Sequence, residues 1–171
     1  MIKTKLSKPK YKFECDVVKQ VLKAQKKHSG KRLPQVEVVQ TKYESMVPLY
    51  NACDCLVSAS SAEGFGLPLL EALAAGMVVV APRYSGQLDF LNNDNSILVD
   101  VRHIKASSKY QYWKATKGAM TSVPEVESLA VSMRRSYEDY ADLQKLFKNG
   151  IEDTLRKFTW ENAARQILEI V

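Results

Sequence analysis

Hydrophobic and polar residues alternate along this chain in a way that predicts short strands and amphipathic helices in turn. Residues 13–28 are predicted to form a helix, because apolar residues recur there every three or four positions. Residues 77–81, Met-Val-Val-Val-Ala, are an uninterrupted apolar run that is typical of a strand covered on both faces. Gly30, Pro34 and Gly76 lie between predicted segments, as turn residues do. The pattern therefore divides the chain into short, well-bounded elements.

The order of these elements indicates the fold class. Strands are expected at residues 2–6, 36–39, 55–58, 77–81 and 97–99, and helices at residues 13–28, 44–52 and 67–75. Strand and helix alternate, which is the pattern of a parallel sheet whose crossover helices cover both faces. We predict an α/β protein with a Rossmann-like, doubly wound parallel sheet, forming a single domain over residues 1–171.

The pattern changes beyond the last predicted strand of this sheet. Residues 102–122 have no sustained period and are predicted to form a loop or insertion. From Pro124 onward the chain is predicted to be helical, and a final helix is expected to start at Thr159-Trp160 and to run to residue 171. One apolar stripe is expected in the first part of this tail, formed by Leu129, Met133, Tyr137 and Tyr140.

Composition narrows the class of protein. Hydrophobic residues make up 46% and charged residues 26% of the chain, as in an ordinary globular domain. Glu71 interrupts the longest apolar segment, so no membrane-spanning helix is expected, and the first residues predict no secretory signal. The odd number of cysteines, 3, does not indicate a disulfide framework. We therefore expect a cytoplasmic protein.

The net charge of +6 is concentrated at the amino-terminal end. Residues 1–32 hold 11 lysines and arginines against Glu14 and Asp16, so the remaining residues are net acidic. We interpret these lysines as a solvated helix face; a weak contact with an anionic membrane surface, at the inner face of the membrane, is the alternative. No basic stripe interleaved with aromatic residues accompanies the charge, so no nucleic-acid partner is expected.

The loop that follows the strand at residues 55–58 carries the features of an anion-binding site. Ligands of doubly wound sheets bind beyond the carboxyl ends of the strands, where loops lead into helices. Gly64 and Gly66 allow the backbone to approach a ligand closely, and Pro68 suits the first turn of a helix because it needs no N–H there. The free N–H groups and the dipole of that turn attract an anion, for which a diphosphate is the natural occupant.

Two carboxylates flank this loop, Glu63 at its start and Glu71 one turn into the helix. A carboxylate accepts two hydrogen bonds side by side, so each can bind vicinal hydroxyls of a sugar or a ribose. Taken singly, Glu71 could merely favour the positive end of the helix, and Glu63 could be a solvated loop residue. Together with the two glycines and the proline, the pair indicates a site for a nucleotide sugar.

The segment Glu-Gly-Phe-Gly-Leu-Pro-Leu-Leu-Glu-Ala at residues 63–72 is similar to the E-x7-E signature of family 4 (group 1) retaining glycosyltransferases, which have the GT-B fold. The resemblance is to the carboxyl-terminal, donor-binding domain of that family. It runs from about Val36 to the end of the chain and is poorest over residues 102–122. Four neighbouring segments share it, at residues 49–58, 74–81, 85–91 and 158–160.

The resemblance implies roles for the residues of this motif. Glu63 would be the catalytic residue and bind the hydroxyls of the donor sugar, and Glu71 would bind the ribose. The backbone N–H groups of Gly66 and Leu67 would face the diphosphate or the sugar, and Gly64 and Phe65 would complete the donor-binding set. The family implies a UDP- or GDP-sugar donor, a hexose-type transfer, no cofactor and no bound metal, which agrees with the lack of an Asp-x-Asp pair in the sequence.

The resemblance also implies parts that this chain lacks. Members of the family open the domain with a strand and a loop that carries an arginine and then a lysine, and no such segment precedes Ile2. We therefore expect the chain to lack the first strand–helix unit and the amino-terminal acceptor domain, and to be inactive in transfer as this fragment. The alternatives are an assembly or docking module, which pairs with another chain or forms a homodimer through an exposed sheet edge, and a fragment of a GT-B nucleotide-sugar epimerase.

Overall fold

The computed structural model describes residues 44–105 and 119–170, together with Lys23, Lys26 and Lys27. The chain divides into two compact units, residues 1–44 and residues 45–171, and the prediction of one domain stays a prediction. The predicted strands at 2–6 and 36–39 lie outside the described residues. So does the helix predicted at 13–28, apart from the three lysines, which are helical and exposed.

The described elements of the second unit follow the predicted order closely. In chain order they are α1 (Val47–Asn51), β1 (Cys55–Val57), α2 (Leu67–Ala74), β2 (Val78–Pro82), β3 (Ile97–Val99), β4 (Val101–Lys105), β5 (Met120–Pro124), α3 (Val126–Glu138), α4 (Tyr140–Lys157) and α5 (Trp160–Ile170). A 3₁₀ turn, Gly86–Asp89, lies between β2 and β3.

Strands β1, β2 and β3 form one parallel sheet in that order. Leu56 of β1 lies opposite Val79, and Leu98 of β3 lies opposite Ala81, so β2 is paired along both edges. Every residue of β2 is buried, which is why its sequence is an uninterrupted apolar run.

Helices cover the two faces of β2. On one face Val79 and Ala81 belong to a buried cluster with Leu69 and Leu73 of α2. On the other face Val78 and Val80 cluster with the α4 side chains Leu143 and Phe147. Burying apolar side chains of this size stabilises a fold by about 1.5–3 kcal/mol each. The prediction of an α/β fold with a parallel sheet between helices is therefore confirmed.

The two ends of the segment predicted as a loop, residues 102–122, belong to β-strands in the structure. β4 and β5 pair antiparallel there, from Val101 opposite Pro124 to Lys105 opposite Met120. Ser122 is the one buried residue of the two strands, so no apolar alternation marks them in the sequence. The loop prediction is wrong for these ends because the pairing gains little from burial and rests on the backbone ladder.

The apolar stripe predicted for the helical tail is also partly wrong. Leu129 and Tyr140 pack against the cluster around Val80, as expected. Met133 and Tyr137, however, are exposed, because the side of α3 that faces the core carries two buried serines, Ser132 and Ser136, next to Leu129. An apolar pattern cannot reveal a face that is partly formed by serines.

Candidate functional site

The carboxyl ends of β1 and β2 place two loops side by side. The first loop, residues 58–66, leads into α2, and the second, residues 83–85, leads into the 3₁₀ turn. The Gly86 N–H donates to the Glu63 carbonyl at 3.3 Å. A Cβ added at Gly86 would collide with the Gly64 carbonyl oxygen, so the two loops can approach this closely only with glycine at position 86.

Ser85 joins the same two loops through its side chain. Its hydroxyl accepts a hydrogen bond from the Glu63 N–H at 3.1 Å and donates one to the Glu63 carbonyl at 2.6 Å. The hydrogen bonds that hold Glu63 in the described part of the chain are thus made by its backbone. Glu63 itself is partly exposed, so its carboxylate is free to face a ligand from a fixed main chain.

Helix α2 begins at a glycine in the left-handed conformation. Gly66 has φ 89° and ψ 45°, which a residue with a Cβ adopts only at a cost. The N–H groups of Leu69 and Leu70 both donate to the Gly66 carbonyl, and Pro68 has no N–H. Within the described residues, the backbone donors left at the helix start are therefore those of Gly66 and Leu67, the two named from the sequence.

The Phe65 side chain holds the first loop to the core. Its ring centroid lies 5.0 Å from that of Phe90 and 5.9 Å from that of Phe158, with tilted geometry in both pairs. Phe90 and Phe158 also contact each other edge to face, at 5.9 Å. Such aromatic pairs contribute about 0.5–1.5 kcal/mol beyond their buried area. The cluster fixes the loop, and a donor contact from Phe65 stays a prediction.

Glu71 is exposed on α2 and is held by a tyrosine of α1. The Tyr50 hydroxyl donates to Glu71 Oε2 at 2.8 Å, while the rest of Tyr50 is buried, with 7% of its surface exposed. Burial, then the hydrogen bond to Glu71 and the charge of that carboxylate, raise the pKa of Tyr50 to about 12. The phenol therefore remains a proton donor at neutral pH, and Oε1 of Glu71 is left for another partner.

Two open cavities meet at Glu71. One, of about 460 Å³, lies between α1 and α2 and is bordered by Ser45, Tyr50 and Asn51. The other, of about 320 Å³, is apolar and lies between α2 and the start of α5, next to Trp160. Both volumes are in the range of small-molecule sites, which is roughly 300–1,000 Å³. Glu71 is thus placed to contact a ligand in either one.

The β4–β5 pair braces the two loops from the side. The Thr121 hydroxyl donates to the Ser61 carbonyl at 3.1 Å, two residues before Glu63. The rings of Tyr84 and His103 lie edge to face, 6.0 Å apart, next to Ser85. The strand pair therefore limits the freedom of both loops.

Two negative findings concern residues 44–105 and 119–170. No group of three or more histidine, cysteine, aspartate or glutamate side chains is arranged there to hold a metal ion. No helix of that part is long and apolar enough to pass through a bilayer.

The predicted site residues lie along one segment, residues 63–71, and the structure places them in three neighbouring groups. Glu63 and Gly64 lie against the second loop, Gly66 and Leu67 form the helix start, and Glu71 lies one turn further, beside α1. The sequence did not identify Tyr50 or Ser85 as site residues. Both lie in segments that share the resemblance, 49–58 and 85–91, but their hydrogen-bond partners are 21 and 22 residues away along the chain, so the local sequence does not reveal these bonds.

Comparison with known proteins gives a family match over most of the chain. The sequence model of the family "Glycosyl transferases group 1" matches residues 19–153. Among curated relatives, a probable sucrose-phosphate synthase of Thermosipho melanesiensis is 25% identical over 90% of this chain and 30% of its own length. A D-inositol 3-phosphate glycosyltransferase of Corynebacterium urealyticum is 29% identical over 74% of this chain and 25% of its own length.

Solved structures give the same picture of the fold. The sucrose-phosphate synthase of Thermosynechococcus elongatus matches with a TM-score of 0.61 and 25% identity, over 89% of this chain and 33% of that one. Anabaena HepE in complex with UDP-glucose matches with a TM-score of 0.62 and 21% identity, over 92% and 37%. The chain thus spans about a third of the length of the proteins it matches, or less.

Proposed function

The chain belongs to the group 1 glycosyl transferases, and its fold matches one part of a GT-B structure. From this premise we propose that it binds the nucleotide-diphospho-sugar donor of a retaining hexosyltransferase. It is then the carboxyl-terminal, donor-binding half of that enzyme. One observation carries the proposal: over residues 63–71, a backbone-anchored carboxylate, a glycine-capped helix start and a second, exposed carboxylate follow one another at the carboxyl edge of the sheet.

The ribose is assigned to Glu71 and its tyrosine. Oε2 of Glu71 is occupied by the Tyr50 hydroxyl, so Oε1 accepts one ribose hydroxyl. The phenol oxygen of Tyr50 still has acceptor capacity and borders the same cavity, so it is suited to the neighbouring hydroxyl. The cavity between α1 and α2 then has the volume for the nucleoside.

The diphosphate is assigned to the start of α2. The N–H groups of Gly66 and Leu67 supply fixed donors, and the positive end of the helix dipole adds to them. In a retaining transfer the bond between the sugar and the leaving phosphate breaks as the sugar gains positive charge. Donors aimed at the phosphate stabilise the charge that develops there, each by about 3 kcal/mol.

Glu63 is assigned to the hydroxyls of the donor sugar. It precedes the start of α2, whereas Glu71 follows that start on the helix itself. The proposed order along the site is therefore sugar, diphosphate and ribose. The donor is proposed to be a UDP- or GDP-sugar, bound without a metal or cofactor. HepE, which shares the fold, is solved with UDP-glucose, and this guides the choice of the first probe.

Transfer is proposed to need a second domain that this chain does not provide. The chain spans 30% of the Thermosipho relative and 25% of the Corynebacterium relative. We assign the acceptor site to the remaining length of such a protein, which leaves this chain able to bind a donor and unable to transfer its sugar. A cytoplasmic location goes with this proposal.

Titration of the isotope-labelled chain tests donor binding. UDP, UDP-glucose, GDP and GDP-mannose are added up to about 10 mM, since affinities in the millimolar range are enough for shifts to be seen. We expect at least one of them to shift the amide signals of residues 63–71. Glu71→Gln should weaken binding roughly tenfold, because it removes one charge-assisted hydrogen bond.

Glu127→Gln is the matched control for that variant. Glu127 is exposed on α3, outside the residues assigned to the donor, and its substitution removes the same charge. It should bind like the wild type. The absence of any shift in residues 63–71 with all four nucleotides would sink the proposal.

A further inference from the structure

Ser85 has a backbone conformation that its own side chain makes costly. Its φ of 76° and ψ of −170° lie in a region that is essentially confined to glycine, because a Cβ crowds the backbone there. Among the residues that the structure describes, it is the one non-glycine residue with positive φ. Strain of this kind persists only where surrounding contacts enforce it, and it clusters at functional sites.

The Ser85 side chain makes two hydrogen bonds, and both are to Glu63. The Ser85 hydroxyl accepts from the N–H of Glu63 and donates to its carbonyl, so one side chain binds both backbone groups of one residue. Glycine at this position would remove the strain but would make neither bond. Serine at this position therefore costs backbone energy but makes two hydrogen bonds to a single loop residue.

Other contacts hold the neighbourhood of Glu63, and Ser85 makes the shorter hydrogen bonds to its main chain. Thr121 binds the carbonyl of Ser61, and Phe65 is fixed by its aromatic neighbours. Gly86 adds a longer hydrogen bond to the Glu63 carbonyl, at 3.3 Å. The Glu63 N–H donates to the Ser85 hydroxyl. We infer that this hydroxyl fixes the Glu63 backbone and, with it, the direction in which the Glu63 side chain points.

We propose that Ser85 is a positioning residue for the donor sugar: its hydroxyl fixes the Glu63 backbone so that the carboxylate meets the sugar hydroxyls without first being ordered. The inference rests on the proposed function, because it requires that Glu63 binds the sugar of the donor. Groups that are ordered before binding lose less entropy when the ligand arrives. The effect should therefore fall on the sugar part of the donor and spare the nucleotide part.

Three variants of the 171-residue chain test this role. Ser85→Ala removes the hydroxyl and keeps the strain, whereas Ser85→Gly removes both. Ser128→Ala is the matched control, because it deletes a serine hydroxyl of α3 whose hydrogen bond comes from the Asp100 N–H and does not involve the loop that holds Glu63. For each variant the affinities for UDP and for UDP-glucose, the hydrogen exchange of the Glu63 amide and the melting temperature are measured.

The ratio of the two affinities is the decisive quantity. In both Ser85 variants, affinity for UDP-glucose relative to UDP should fall roughly five- to tenfold, the size expected for one or two lost hydrogen bonds. The Glu63 amide should exchange faster in both. Ser85→Gly should melt at a higher temperature than Ser85→Ala, because only the glycine variant relieves the backbone strain. Both variants should lose affinity for the sugar, because both lack the hydroxyl. Ser128→Ala should leave the ratio and the Glu63 exchange unchanged.

Two results would overturn the inference, and they differ. An unchanged ratio in Ser85→Gly, with the wild type binding both ligands, would show that the hydroxyl does not position Glu63 for the sugar. A wild-type chain that binds neither UDP nor UDP-glucose would remove the proposed function for this donor and the role of Ser85 with it. In that case the exchange of the Glu63 amide still tells whether Ser85 holds that residue.

Discussion

At the scale of single residues, two hydroxyl groups outside the motif form hydrogen bonds with its two glutamates. Tyr50 binds the side chain of Glu71, and Ser85 binds the main chain of Glu63. Each glutamate is thus held by a different neighbouring element: α1 holds the carboxylate of Glu71, and the loop after β2 holds the main chain of Glu63. A site whose acidic groups are held before the ligand arrives gains affinity by lowering the ordering cost.

Tyr50→Phe is expected to reduce the loss of stability at high pH. The pKa of Tyr50 is raised to about 12 in the folded chain and is near 10 when unfolded. Between these values the unfolded state releases a proton that the folded state keeps, so the free energy of unfolding falls as pH rises. Denaturant unfolding at roughly pH 8 and pH 11 measures the fall, which should be smaller in Tyr50→Phe than in the wild type.

Tyr137→Phe is the control for this titration. It removes an exposed tyrosine hydroxyl from α3, so its loss of stability between the two pH values should match that of the wild type. Equal losses in Tyr50→Phe and Tyr137→Phe would contradict a raised pKa of Tyr50.

Gly66→Ala should destabilise the chain, whereas Gly64→Ala should not. Gly66 has a positive φ, and an added Cβ would lie 3.2 Å from Leu69 Cδ1, so alanine is both strained and crowded there. The expected loss is about 1–2 kcal/mol in the free energy of unfolding. An added Cβ at Gly64 meets nothing within 4 Å. Thermal unfolding of the two variants decides, and equal stabilities would argue against the left-handed start of α2.

At the scale of elements, the hydrophobic pattern predicted those that are buried and missed those that are not. β2 and α2 have strong apolar signals because both contribute to the core. The β4–β5 pair has little buried surface, so its sequence carries no alternation. The packing of α4 includes a polar contact besides its apolar ones: buried Asn95 donates to the Phe90 carbonyl at 2.7 Å and to the Thr154 hydroxyl at 2.8 Å.

Gly150→Ala is a prediction about this packing. Helix propensity alone favours alanine over glycine in α4 by roughly 1 kcal/mol. A Cβ at position 150 would, however, collide with the Asp94 carbonyl in the loop before β3. We expect a net loss of about 1–3 kcal/mol in the free energy of unfolding, because the helix and the loop must move apart. Asn149→Ala, at an exposed neighbouring position, should show no loss, and a stabilised Gly150→Ala would contradict the close approach.

At the scale of the whole molecule, the described part of the chain contains the proposed donor site and a final amphipathic helix, α5, that packs little against the rest. None of the residues of α5 is buried, and four of its large apolar side chains are exposed: Trp160, Ile167, Leu168 and Ile170. Its recorded links to α4 are the hydrogen bonds from the Asn162 side chain to the carbonyls of Arg156 and Lys157. The helix therefore contributes little to the stability of this unit.

Removal of residues 160–171 is expected to cost no more than about 1–2 kcal/mol in the free energy of unfolding. The loss corresponds to the exposed hydrogen bonds of Asn162. Denaturant unfolding of chains that end at residue 159 and residue 171 measures the difference. A much larger loss would mean that the apolar face of α5 is covered in solution, and light scattering of the full chain would then show whether a second copy covers it.

The sequence by itself determined the alternation of elements, the α/β class and the loop at residues 63–71, because periodicity, glycine and proline act over a few neighbouring residues. Only the tertiary structure decided which side chains hold that loop. Tyr50, Ser85 and Thr121 lie 21, 22 and 60 residues from the groups they bind. Their hydroxyls meet these partners through the packing of α1 on α2 and the approach of neighbouring loops, and a contact of that kind leaves no pattern in the local sequence.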